Sequence, residues 1–333
     1  MSKITARVRI SVSCGVMPPS SPLARHTMTM QSFASRLMPF AIRLRGSKKR
    51  YASAEVTLAK VASLRLRPKS YAPPKNLDRT ADVVVRFING WPVYDVTAKG
   101  ARPTRRAIYL HGGSNVYEIS SQHWQLVAEL AASTDSRITV PIYPLAPQGT
   151  ARLVVAGCAD LTEHLIDEVG ASDVTILGDS AGGGMALATA VVLRDRGNAP
   201  SRVVLISPVL DLSLTDPELS RIVDSDPWLD LPGAKATSEL YRGSLPFTDP
   251  RVSPLFGDLP GVGPILMLSG TRDMLNADAH RLVEKAAASA HPLEYHEVAE
   301  MIHVYPLLPI PEARVAREQI REFMTRTVTA QLP

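Results

Sequence analysis

A mostly parallel β-sheet covered by helices on both faces is the fold class that this chain of 333 residues predicts. Three observations carry it. Short β-branched runs alternate with helical stretches between residues 107 and 298, an Asn89–Gly90 pair sits inside an alternating segment, and one aliphatic run leads straight into a glycine-rich helix start at residues 174–186.

Composition sets the outer limits. With 45% apolar and 21% charged residues and a mean hydropathy near zero, the chain reads as an ordinary soluble globular protein. Collagen, low-complexity disorder and a membrane bundle are excluded. A spanning helix needs about 18 uninterrupted apolar residues, and the greasiest stretch, 186–193, is cut off by Arg194 and Asp195. The net charge of +5 hides an asymmetry: residues 1–110 carry +17 and the remainder −12. Either the basic N-terminal arm lies on the acidic body or it makes peripheral contact with anionic lipid. No nucleic-acid motif accompanies the charge, so no nucleic-acid partner is expected. Cys14 and Cys158 are too few for a disulfide framework or a metal cluster, which points to a reducing, cytoplasmic compartment. The apolar run after Lys3, Arg7 and Arg9 is short and broken by serine, a poor signal peptide, and residues 1–30 are expected to form a disordered extension.

Residues 31–78 read as N-terminal helices and a linker, in two helical pieces broken near Pro39 and at Gly46–Ser47, with Pro68, Pro73 and Pro74 following. The main body, 79–333, opens with a hairpin around Asn89–Gly90. Six short runs come next, at 107–110, 138–143, 174–177, 203–207, 265–269 and 293–298, each followed by a helical stretch. Residues 216–248, rich in Asp, Pro and Trp, interrupt this rhythm and read as an insertion over the sheet's edge.

The run at 174–177 enters Gly178-Asp179-Ser180-Ala181-Gly182, a G-x-S-x-G nucleophile elbow. A strand-to-helix turn this tight leaves no room for side chains two positions either side of the serine, hence Gly178 and Gly182. The competing reading is a glycine-rich helix start, and no phosphate-binding pattern can be read here. A serine hydroxyl needs a base, and the base an orienting carboxylate. Downstream, Asp273 follows the fifth run and His303 the sixth, in the chain order that such an elbow requires. Asp278 is a local rival to Asp273, while His26, His123, His164, His280, His291 and His296 lack His303's position. His111-Gly112-Gly113-Ser114 follows an early strand, so the amides of Gly112, Gly113 and Ala181 are the expected oxyanion donors, with His111 as a loop-fixing hydrogen bonder.

His111-Gly112-Gly113, Gly178–Gly183, Asp273 and His303 in this order resemble the hormone-sensitive-lipase-like (bacterial class IV) branch of the α/β-hydrolases. Tyr143-Pro-Leu-Ala-Pro147 and Asp249-Pro-Arg-Val-Ser-Pro254 are similar to two further segments of that branch. The resemblance covers roughly residues 79–330. It implies the α/β-hydrolase fold with a helical cap, made from the N-terminal segment and the insertion, and hydrolysis of small to medium carboxylic esters through an acyl-enzyme without cofactor or metal. Ser114, Pro144 and Met301 depart from the branch pattern and bear on substrate rather than reaction type. Val116, Tyr117, Trp228, Leu229, Tyr241 and Phe247 are pocket candidates, with core packing as the alternative. A lactone hydrolase, an amidase or deacetylase, and a non-enzymatic small-molecule receptor remain open readings. The oligomeric state, a homodimer included, stays open.

Overall fold

In this computed structural model, which describes residues 24–27 and 31–327, one sheet of nine strands runs through the molecule. Its strands are β1 (Ala24–Thr27), β2 (Ala81–Ile88), β3 (Trp91–Ala98), β4 (Arg105–Leu110), β5 (Ser136–Pro141), β6 (Val174–Asp179), β7 (Arg202–Ile206), β8 (Ile265–Gly270) and β9 (Leu293–Val298). Their order across the sheet is β1-β9-β8-β7-β6-β4-β5-β3-β2. All neighbours pair in parallel except β2 with β3 and β3 with β5. The Asn89–Gly90 hairpin closes β2 on β3 with Ile88 opposite Trp91, and both turn residues take the positive φ that such a turn demands.

The central strands are apolar throughout because both faces are covered. Ile108 and Leu110 of β4 pack with α4 (Ala151–Val169), α5 (Ala181–Asp195) and α8 (Asn276–Ala288), whereas Ala107 and Tyr109 pack with α3 (Ser121–Ser133) and α9 (Pro311–Thr325). The two-residue period of a strand sends alternate side chains to opposite cores.

Two groups of helices lie outside these layers. The first is α1 (Phe33–Leu44) and α2 (Ala54–Leu66), joined by a short helical turn at Lys48–Tyr51; the second, between β7 and β8, is α6 (Pro217–Ile222) and α7 (Leu231–Arg242). They meet where α2 packs on α7, whose Gly233 has no room for a side chain against Tyr51 and Thr57. Glu312 of α9 anchors the start of α1, accepting from the Ser32 amide at 2.6 Å and from the Ser35 hydroxyl at 2.8 Å.

Two expectations change. The helix does not break at Pro39 but runs through it to Leu44. A proline inside a helix removes one backbone bond; here the ring is buried and Glu312 clamps the first turn, so the stop falls at Gly46, with φ 68°. Within the predicted disordered extension, residues 24–27 form a strand, since β9 would otherwise leave an edge of unpaired backbone groups. The rest of residues 1–30, including Cys14, Lys3, Arg7 and Arg9, lies outside the described residues. Among the described residues no helix is long and apolar enough to cross a membrane.

Candidate active site

Ser180 sits at the tip of β6, where the chain turns into α5 within one residue. Its φ of 52° lies in the left-handed region that favours glycine, so the position is strained. Neighbouring loops hold it there: the Ser180 amide donates to the Ile206 carbonyl at 2.8 Å, and the Ser180 carbonyl accepts from the Val209 amide at 3.0 Å. A side chain at Gly182 would strike the carbonyls of Leu110 and His111. The glycine therefore lets the helix start pass close beneath the strand ends.

His303 arrives five residues beyond β9 and Asp273 three beyond β8. His303 Nε2 lies 2.9 Å from Ser180 Oγ, and His303 Nδ1 lies 2.9 Å from Asp273 Oδ2. All three side chains are buried. The other Asp273 oxygen accepts the Leu275 amide at 3.0 Å, which fixes the carboxylate plane. Val304, with φ 49°, is a β-branched residue in the left-handed region, and its amide donates to the buried Ser207 hydroxyl at 3.0 Å. Ser207 thus pins the backbone next to the imidazole. Asp278, the sequence rival, instead bonds Arg281 at 2.7 Å, and of the other imidazoles His280 bonds Glu297.

The oxyanion loop requires a correction. The Gly112 amide, one of the three expected donors, points away from the serine hydroxyl and donates to Asp179 Oδ1 at 2.9 Å. Asp179 also takes the Tyr109 hydroxyl and contacts His123 Nε2 at 3.3 Å, which holds its pKa below the usual carboxylate value despite burial. Among the described residues the amides of Gly113 and Ser114 have no acceptor, and both residues line the same cavity as Ser180. Their φ angles are 125° and 52°, and Ala181, the first residue of α5, directly follows Ser180. Ser114 also bonds the Tyr51 hydroxyl at 2.8 Å, a contact between the oxyanion loop and the N-terminal helices. His111 holds the Gly112 carbonyl at 2.7 Å and stacks on Tyr143; burial and His123 push its pKa down to about 4, so it is neutral and has no part as a proton carrier.

A cavity of about 970 Å³ opens above Ser180. Val116, Tyr117, Trp228 and Leu229 line it as expected. Tyr241 does not: it is buried in the core beside Leu245 and Tyr143, because α7 turns that face toward α4 rather than toward the cavity. Phe247 likewise packs against the core, under the guanidinium of Arg242. Tyr51, His123 and, at the mouth, Arg50, Arg65 and the exposed Phe87 complete the lining.

Burial by itself would lower the His303 pKa. The Asp273 carboxylate outweighs it, with Asp226 and Asp179 adding to the effect, and the imidazole ends above its ordinary value. Asp226 was not anticipated, since an aspartate before a proline reads as a turn residue. His123 and Ser207 likewise carried no pattern in the sequence, and Asp179 stood at a variable place of the elbow motif; their contacts span 56, 97 and 67 positions. Among the described residues there is no cluster of His, Cys, Asp or Glu able to hold a metal ion.

The chain is similar in sequence and fold to known proteins. Residues 107–307 match the model of a family described as having the α/β hydrolase fold. The chain is 34% identical over 71% of its length to a triacylglycerol lipase of Mycobacterium tuberculosis, and spans about half (50%) of that relative's length. It is 32% identical to an acetyl-hydrolase of Streptomyces hygroscopicus, over 71% of this chain and 81% of the relative. Its structure superimposes on the crystal structure of an esterase from the bacterial hormone-sensitive lipase family with a TM-score of 0.75 and 26% identity, covering 90% of this chain and 100% of the other. The chain belongs to the α/β-hydrolase family, in its hormone-sensitive-lipase-like branch.

Proposed function

We propose that this chain is a serine carboxylesterase acting on small to medium acyl esters. The reading is carried by the unbroken relay from Ser180 through His303 to Asp273 at the floor of an open cavity. Ser180 Oγ attacks the ester carbonyl carbon while its proton passes to His303 Nε2. The tetrahedral oxyanion accepts from the amides of Gly113, Ser114 and Ala181, and its collapse breaks the bond to the alcohol, which leaves with the proton from His303. Water then repeats the cycle on the acyl-enzyme and releases the acid. Asp273 holds the imidazole tautomer and stabilises the imidazolium.

A panel of p-nitrophenyl esters from two to sixteen carbons, one seven-membered lactone and one anilide tests this. Turnover confined to esters of short or medium chain, lost in Ser180→Ala, supports the proposal. Faster turnover of the lactone or the anilide replaces it with lactonase or amidase action on the same residues; tight binding without turnover replaces it with a receptor. His303 must be neutral to act as base, so kcat/KM climbs with pH through a value above about 6.5, the ordinary histidine pKa. A flat profile between about pH 5 and pH 9 rejects the role.

A second reading concerns where the ester is met. Along α1, Phe33, Leu37, Phe40 and Leu44 are 77%, 50%, 64% and 72% exposed and recur at the spacing of one helix face, opposite the buried Ser35, Pro39 and Ile42. Residues 31–54 contain Arg36, Arg43, Arg45, Lys48, Lys49 and Arg50 and no acidic residue. We infer that this face rests on an anionic lipid surface. Residues 1–30 add Lys3, Arg7, Arg9 and Arg25 to this count and no acidic residue. Sedimentation with anionic but not neutral vesicles, lost in the double variant Phe40→Ser, Leu44→Ser, supports it. No sedimentation, or sedimentation that ignores either change, overturns it.

A further inference from the structure

Asp226 is a fully buried carboxylate that the reaction above does not use. Burying a carboxylate is costly unless its oxygens find donors, and three backbone amides supply them. Asp226 Oδ1 accepts from Trp228 at 2.7 Å and Leu229 at 3.0 Å; Oδ2 accepts from Met274 at 3.0 Å. Trp228 and Leu229 line the cavity, and Met274 is the residue next to Asp273. The backbone of the same segment is gripped from two other sides. Lys48, between α1 and α2, donates to the carbonyls of Asp226, at 3.1 Å, and of Val223, while Arg272 reaches the Ser225 carbonyl at 3.3 Å.

We propose that Asp226 is a positioning residue that clasps the substrate-facing cap segment to the Asp273 loop and holds a second negative charge beside the Asp273–His303 pair. This rests on the assignment of Ser180, Asp273 and His303 given above. Three kinds of observation meet at this one side chain: it joins the cap wall to the acid loop, it is shielded from solvent, and among the described residues no Lys or Arg side chain lies within 4.0 Å of its carboxylate. The groups that face it are Asp273 and His303 from the strand-end loops and the Tyr51 phenol from the N-terminal helices, with Lys48 and Arg272 held on nearby carbonyls. Burial first, then Asp273, raises its pKa to about 6, against the opposing pull of His303 and of the amides.

The consequences divide between charge and shape. An anion here favours the imidazolium, so it moves the acid limb of the rate profile upward. Protonation, as pH falls through about 6, weakens the hold on Trp228 and Leu229 and loosens the cavity wall. Asp226→Asn removes the charge, and its amide cannot accept from all three N–H groups at once.

The test is the pH profile of kcat/KM for p-nitrophenyl butyrate with the full chain. In Asp226→Asn the acid limb moves to lower pH by roughly half a unit to one unit, and KM rises about threefold to tenfold as the wall loosens. An acid limb in its wild-type place, or an unchanged KM, overturns the inference. If that variant does not fold, the wild type decides. Trp228 emission, taken as the difference between the wild type and Trp228→Phe, changes with a midpoint near pH 6 if the clasp titrates, and stays constant from pH 5 to 8 if there is none. Should Ser180→Ala stay active, the triad assignment has failed; should Ser180→Ala be dead while the acid limb of Asp226→Asn stays in place, only the clasp has failed.

Discussion

At the carboxyl edge of the sheet, Ser180, Asp273 and His303 each lie at most five residues beyond a strand that other elements cover on both faces. The residues that close the cavity from above, Tyr51, Trp228 and Leu229, hang instead from the helical turn at Lys48–Tyr51 and from the segment between α6 and α7, and α1, which precedes that turn, has an outer side of exposed phenylalanine and leucine. The difference teaches where rigidity is invested. Strand ends inherit their positions from ladders of backbone hydrogen bonds and a close-packed core, so reacting atoms separated by 123 and 30 positions in sequence meet at 2.9 Å. The cap is held by a smaller apolar cluster, in which Tyr51, Leu219, Val223 and Leu229 pack with Met274 and Leu275, and by polar contacts: the Glu312 clamp on α1, the Tyr51–Ser114 bond and the amides around Asp226. On this view the edge governs the chemical step and the cap governs what reaches it.

Substitutions in the two regions separate these roles. Asp273→Asn removes the carboxylate that orients His303 and raises its pKa; kcat falls about 10⁴-fold and the remaining acid limb moves to lower pH, both read from steady-state pH profiles. Gly113→Ala places a methyl group 2.7 Å from the Tyr117 carbonyl at a φ of 125° and tilts the donor amide; the loss in kcat is on the order of 10²–10³, and the thermal midpoint falls because a side chain is strained at that φ. A comparable rise in KM with kcat unchanged would mean that this amide is no oxyanion donor. Ser207→Ala frees the strained Val304 amide, and a loss of about tenfold in kcat, with KM constant, is expected from a slackened imidazole. Trp228→Ala is the mildest and belongs to the cap: the preferred acyl length moves by about two to four carbons, since each added methylene is worth about 0.8 kcal/mol when buried, while kcat on the best ester stays within about threefold. A large fall in kcat for that variant would erase the distinction between the regions.

Much of the edge was legible before any coordinates. The elbow is written in five consecutive residues, and Asp273 and His303 follow β-branched runs whose order matches it. The hairpin at Asn89–Gly90 was readable for the same reason, being local. Illegible features depend on partners far along the chain. Gly112 and Gly113 look equivalent in sequence; only the Asp179 carboxylate, 67 positions away, takes one amide and leaves the other. Tyr241 carries the composition of a pocket residue, yet the packing of α7 on α4 turns it into the core. Pro39 argued for a break that a buried ring and a clamp from α9 outweigh.

From the order of its residues alone, then, this chain committed itself to alternating strands and helices and to a serine raised on a glycine-flanked turn, because periodicity and tight turns are short-range steric matters. Which amide of the Gly112–Gly113 pair the Asp179 carboxylate takes, where the Asp226 carboxylate is buried and which side chains wall the cavity were settled only when distant segments packed together. Hydrogen bonds and buried charges take their meaning from neighbours in space, and those neighbours exist only in the folded molecule.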